Sequence, residues 1–184
     1  MLTAFWKVCV GMTCLAGMLF VAQGTGTKSE PRSLLLEVVR NSWDVERDET
    51  LVYVRVFSDG FAEAHPMRSV DFRNIQLKTK QLSNEEMATL NNLLSDDAVG
   101  KLEPKYSRYW GNKDFGYKYS VTISGPLHKQ IELENFQPFL ARKESKPYPK
   151  QLEKLGCSFW RLRAEVTGEP LEKNWLKGCT ELGY

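Results

Sequence analysis

Beyond about residue 33 the hydrophobic positions change period several times, and each change marks an element. The apolar run Leu34 to Val39, the polar cluster Asn41 to Thr50 and the run Leu51 to Phe57, rich in Val, Tyr and Phe, predict two strands around a polar connection. Ser58, Asp59 and Gly60 precede Phe61 to His65, and an Asp-Gly step between extended runs predicts a hairpin, closed by Pro66. Ile75, Leu77 and Thr79 alternate with Gln76, Lys78 and Lys80, the period of a half-buried strand. Phe115, Tyr117, Tyr119, Val121 and Ile123 alternate with Lys118, Ser120, Thr122 and Ser124, which gives the clearest strand of the chain. Gly125 and Pro126 turn it back into Leu127 to Phe136, where Ile131 and Leu133 point inward.

Two segments follow the helical period instead. Ser83 and Glu86 form a capping box ahead of Met87, Leu90 and Leu94, and Ser95 to Val99 add a further turn before Gly100. After Pro147-Tyr148-Pro149, Leu152, Leu155, Phe159, Leu162 and Val166 recur at spacings of three and four, an amphipathic helix of about four turns that Gly168 ends. A short helical segment around Leu171 to Leu176 leads on to Cys179. Assembled, the elements predict an α+β fold: a mostly antiparallel sheet of five or six strands with two main helices packed on one face.

The first residues change the picture of where this domain works. Lys7 is the only early charge, the stretch Val8 to Ala22 is uncharged, and Gln23, Gly24, Thr25 and Gly26 follow. Residues 1–24 therefore read as an export signal, with cleavage after Gly24 and with Ala22 or Gly26 as other end points. The uncharged run is shorter than the roughly 20 residues a membrane-crossing helix needs, so no permanent anchor is expected. A buried N-terminal helix of the domain is the competing reading. Residues preceding Cys9 and Cys14 do not form a convincing lipidation motif. Residues 25–33 read as a flexible linker and 34–184 as a single domain, secreted or periplasmic.

Charge adds little, since losing Lys7 takes the formal net charge from +2 to +1 and gives no electrostatic reason to expect nucleic acid as a partner. Cysteine usage adds more. With Cys9 and Cys14 leaving in the signal, Cys157 and Cys179 remain, and in an oxidising compartment they are expected to form a disulfide.

Catalytic chemistry is hard to build from these residues. The two histidines, His65 and His128, fall at strand ends, and no nucleophile elbow or zinc-binding His pair accompanies them, so neither cofactor nor metal is expected. Glu132 and Glu134 lie two apart on a strand, a spacing that suits a carboxylate pair, but the alternation puts them on the solvated side opposite Lys118. Tyr106, Arg108, Tyr109, Trp110, Asn112 and Asp114 crowd rings, an amide and charges into one apparent loop, which makes it the candidate contact surface for a protein, peptide or glycan. The competing reading folds Tyr106 and Trp110 back over the end of the sheet. Lys150, Lys154, Arg161 and Arg163, interrupted by Glu153 and Glu165, read as a solvated basic stripe on the last long helix.

The Phe57-Ser58-Asp59-Gly60 hairpin, the Leu82-Ser83-Asn84-Glu85-Glu86 helix start and the block from Tyr148-Pro149 through Leu155-Gly156-Cys157 to Trp160 resemble small exported bacterial domains of unknown function. That resemblance implies an extracytoplasmic globular domain and carries over no site residue. The expectation is thus a noncatalytic exported binding domain. A small secreted hydrolase with carboxylates brought together from distant positions, or a secreted enzyme inhibitor, are the alternatives.

Overall fold

The computed structural model describes residues 31–43, 48–66, 76–107, 116–125, 127–136, 148–171, 173–181 and 183, and one compact unit runs from Pro31 to Tyr184. Its strands are β1 (Leu34–Trp43), β2 (Asp48–Phe57), β3 (Phe61–Ala64), β4 (Lys78–Gln81), β5 (Lys105–Ser107), β6 (Gly116–Ile123) and β7 (Lys129–Glu134). They form one seven-stranded sheet in the order β4-β3-β2-β1-β6-β7-β5. The α+β class expected from the sequence holds, but the sheet is larger than five or six strands and is mixed, because β5 pairs in parallel with β7. Three residues carry no readable period, so this pairing rests on contacts distant in sequence, chiefly Tyr106 beside Leu133.

Alternation decides which face each residue takes. Along β6, Tyr117, Tyr119, Val121 and Ile123 are buried, while Lys118, Ser120 and Thr122 reach solvent. Pairing of β1 with β2 slips between Leu34 and Leu36 and between Val38 and Val39, leaving Leu35 and Tyr53 as the extra residues of two bulges. A bulge disturbs strict alternation, and Tyr53 and Val54 accordingly are both buried. The strand expected over Ile75 to Lys80 lies later, at Lys78–Gln81, and Leu77 is 38% exposed. As the outermost strand, β4 has a neighbour on one side only and covers little. Lysines mark both outer strands: Lys78 and Lys80 on β4, Lys105 on β5.

Helix α1 (Asn84–Leu94) begins at the predicted capping box: Ser83 Oγ accepts the Glu86 N–H at 3.2 Å, and the Glu86 carboxylate accepts the Ser83 N–H at 2.6 Å. The expected extra turn is a separate helix, α2 (Asp97–Gly100), capped by Asp96. The long helix α3 (Lys150–Thr167) runs 18 residues, five turns, and ends at Gly168 in the left-handed region (φ 74°). Leu152, Leu155, Phe159, Leu162 and Val166 form its buried stripe, widened by Cys157 and Trp160. Helix α4 (Lys173–Glu181) contains Cys179, which is bonded to Cys157 with a Cα–Cα distance of 5.6 Å.

The core lies between the sheet and α3 and is strongly aromatic. Tyr53 meets Tyr119 edge-on at 5.1 Å, Tyr119 meets Phe159 at 5.6 Å, and Phe136 stacks on Trp160 at 5.7 Å. Arg163 does not belong to a solvated stripe. It is 8% exposed, with its guanidinium paired to Glu169 and set 5.0 Å from the Tyr53 ring centre. Burial without that partner would leave an isolated charge in an apolar layer, and Glu169, just after the helix, supplies the counter-ion. Burial pushes the hydroxyls of Tyr53 and Tyr119 above the usual tyrosine range.

Candidate binding surfaces

Strand directions gather several strand ends at one place. Trp43, Asp48, Ala64, Lys78, Ser107, Gly116 and Glu134 are the strand ends that flank residues 44–47, 65–77, 108–115 and the chain leading to α3, and all lie at the same end of the sheet. Of the residues singled out in the sequence, Tyr106 belongs to this end. Its side chain faces the helices: the hydroxyl accepts the Glu103 N–H at 2.8 Å, and the ring stands edge-on to Tyr148 at 6.2 Å. Tyr106 is thus partly buried and packed against the core. Arg108, Tyr109, Trp110, Asn112 and Asp114 lie outside the described residues.

Next to Ser107 and Gly116, the face of the sheet turned away from α3 reaches solvent. Glu132 is 48% and Lys118 37% exposed there. Its residues form rows across the strands. One row is Glu63, Arg55 and Glu37, with the Arg55 guanidinium bonded to both carboxylates. Another crosses Thr50, Asn41, Lys118, Glu134 and Ser107. Thr50 Oγ1 donates to Asn41 Oδ1 at 2.8 Å and Ser107 Oγ donates to a Glu134 oxygen at 2.9 Å. Lys118 stands 3.7 Å from Glu132, and Lys105 3.8 Å from Glu134. The two carboxylates read as a possible acid pair are thus each engaged with a neighbouring cation.

At the end of this face Trp43 pairs with Gly116 across β1 and β6. A Cβ on Gly116 would lie 2.2 Å from Trp43 Cζ2 and 2.6 Å from Cε2, so the indole occupies the space that any larger residue at 116 would need. Sequence reading missed this pair, because the glycine's role shows only once the strands are in register.

A groove runs between α1 and α3. One part, of about 450 Å³, has Leu90, Leu162 and Ser158 at its floor and Ser83, Glu85 and Glu165 at its rim. A second, of about 430 Å³, continues past Thr89 and Arg161 to Asp96, Lys154 and Gly183. Its charges largely serve the fold. Lys80 bonds Glu86 at 2.7 Å and stands 3.5 Å from Glu165, which also accepts from Arg161 at 2.8 Å. Lys80, and after it the Ser83 N–H, hold the Glu86 carboxyl down at about 2.

The two histidines stand at separate places in the fold. His65 Nδ1 accepts the Val52 N–H at 3.1 Å, extending the β2 pairing past β3, and His128 is an exposed residue with φ 42°. Among the described residues there is no group of three or more His, Cys, Asp or Glu side chains that could hold a metal, and no helix long and apolar enough to cross a membrane. Compared with known proteins, the chain matches no family model and no curated protein.

Proposed function

We propose that this chain is an exported, noncatalytic binding domain that meets its partner at the sheet end where residues 108–115 connect β5 to β6. The observation that carries this reading is topological: seven strand ends lie at one end of the sheet, the arrangement by which scaffolds commonly present binding loops. Tyr109, Trp110 and Asn112 bring rings and an amide to that connection, chemistry suited to contact rather than to proton transfer. The Cys157–Cys179 disulfide and the export-like residues 1–24 support a secreted or periplasmic location.

Capture from an extracytoplasmic extract by the disulfide-intact domain and by its Trp110→Ala variant tests the reading. A partner held by the first and lost by the second is the expected result, and equal capture by both would remove the loop from the surface. Mass spectrometry of the natively expressed protein addresses export separately: the expected product starts near Thr25 and carries the disulfide. An intact Met1 start with Cys157 and Cys179 both free would overturn it.

A further inference from the structure

We infer that the open sheet face beside Trp43 is a stacking site for an uncharged oligosaccharide. The inference rests on the binding-domain reading and names a ligand class for the surface adjoining that end of the sheet. Trp43 is half-buried, with its indole seated where a Gly116 side chain would stand, so strand pairing and the missing Cβ fix both the position and the depth of the ring. An indole held in this way on an open surface offers an apolar plate to the C–H face of a sugar ring. The next row, Thr50, Asn41, Lys118, Glu134 and Ser107, sets hydroxyl, amide, ammonium and carboxylate groups one strand apart, about 4.8 Å. Hydroxyl groups spaced around a sugar can donate to and accept from such a row.

Charge decides the class. Arg55 lies between Glu37 and Glu63, Lys118 beside Glu132 and Lys105 beside Glu134, so each of these groups already has an opposite charge beside it. An anionic or cationic ligand would have to break those pairs, whereas a neutral, hydroxyl-rich one adds hydrogen bonds to them. A peptide strand pairs through an open sheet edge, and these residues lie on a face.

Calorimetric titration of the disulfide-intact protein with soluble oligomers of glucose, of mannose and of N-acetylglucosamine tests the inference. At least one series should bind, Trp43→Ala should lose about tenfold or more in affinity, and Trp43→Phe should recover part of it. Thermal melts show whether each variant is folded. Should Trp43→Ala fail to fold, Lys118→Ala, at a solvent-reaching position, takes its place and should weaken binding while leaving the melt unchanged. No binding by any series overturns the inference, as does undiminished binding by the folded Trp43→Ala and Lys118→Ala variants. So does a concentration-dependent dimer that Trp43→Ala dissociates, which would assign the face to a second copy. If the sugars are silent while Trp110-dependent capture of a partner persists, the ligand class fails and the binding-domain reading stands.

Discussion

Gly156 sits in the middle of α3, where alanine would ordinarily strengthen a helix by about 1 kcal/mol. Here the sign should reverse. A Cβ at 156 would stand 2.8 Å from Phe136 Cε1, 3.0 Å from Cζ and 3.6 Å from Trp160 Cη2. Phe136 is wholly buried, 4.8 Å from Tyr148 and stacked on Trp160, so its ring has nowhere to turn. Overpacking of this kind costs about 1–3 kcal/mol, and taking the middle of that range leaves Gly156→Ala destabilised by about 1 kcal/mol after the helix gain. In a Phe136→Leu background the clash is relieved, and the same alanine should raise stability by about 1 kcal/mol relative to that background, a coupling of about 2 kcal/mol. Urea unfolding followed by circular dichroism under oxidising conditions measures all four corners of the cycle. A Gly156→Ala midpoint above that of the parent, or an equal shift in both backgrounds, would refute the packing account.

Replacing Cys157 and Cys179 together by alanine removes a bridge across 22 residues and should cost about 3 kcal/mol of stability, read as a lowered urea midpoint that reductant does not lower further. Ser83→Ala should cost about 1 kcal/mol through loss of the α1 cap, by the same measurement. Because the Glu86 carboxyl is held at about 2, below its ordinary 4.5, its contribution is present above the ordinary value and disappears as pH falls through about 2. Glu86→Gln should therefore be less stable than the parent near neutrality and converge with it in acid. Tyr53 and Tyr119 should stay un-ionised above the ordinary tyrosine value of 10, with the stability this confers lost as pH climbs further. Near-ultraviolet absorbance should show at least two of the seven tyrosines, Tyr53 and Tyr119, ionising only as the fold opens, and uniform titration of all seven with the fold intact would contradict their burial.

Local chemistry was legible from the sequence wherever a residue's role is decided within a few neighbours. Ser83 with Glu86, Asp59 with Gly60, the alternation from Tyr117 to Ile123 and the three-and-four spacing from Leu152 to Val166 all act at that range. What stayed hidden depends on partners far along the chain. β5 exists because β7 lies alongside it, Arg163 is inside because Glu169 and Tyr53 receive it, and Gly116 is small because Trp43 arrives from β1. The candidate surface divides in the same way. The ring-rich segment announces itself by composition, whereas the rows of the open face appear only when six strands are laid in register.

Lysine on both outermost strands has a consequence for how the protein behaves in company. An unpaired strand edge invites a stranger's backbone to join it, and an ammonium side chain there must be dragged out of water or forced against another charge when one does. Lys78, Lys80 and Lys105 thus discourage growth of the sheet from molecule to molecule.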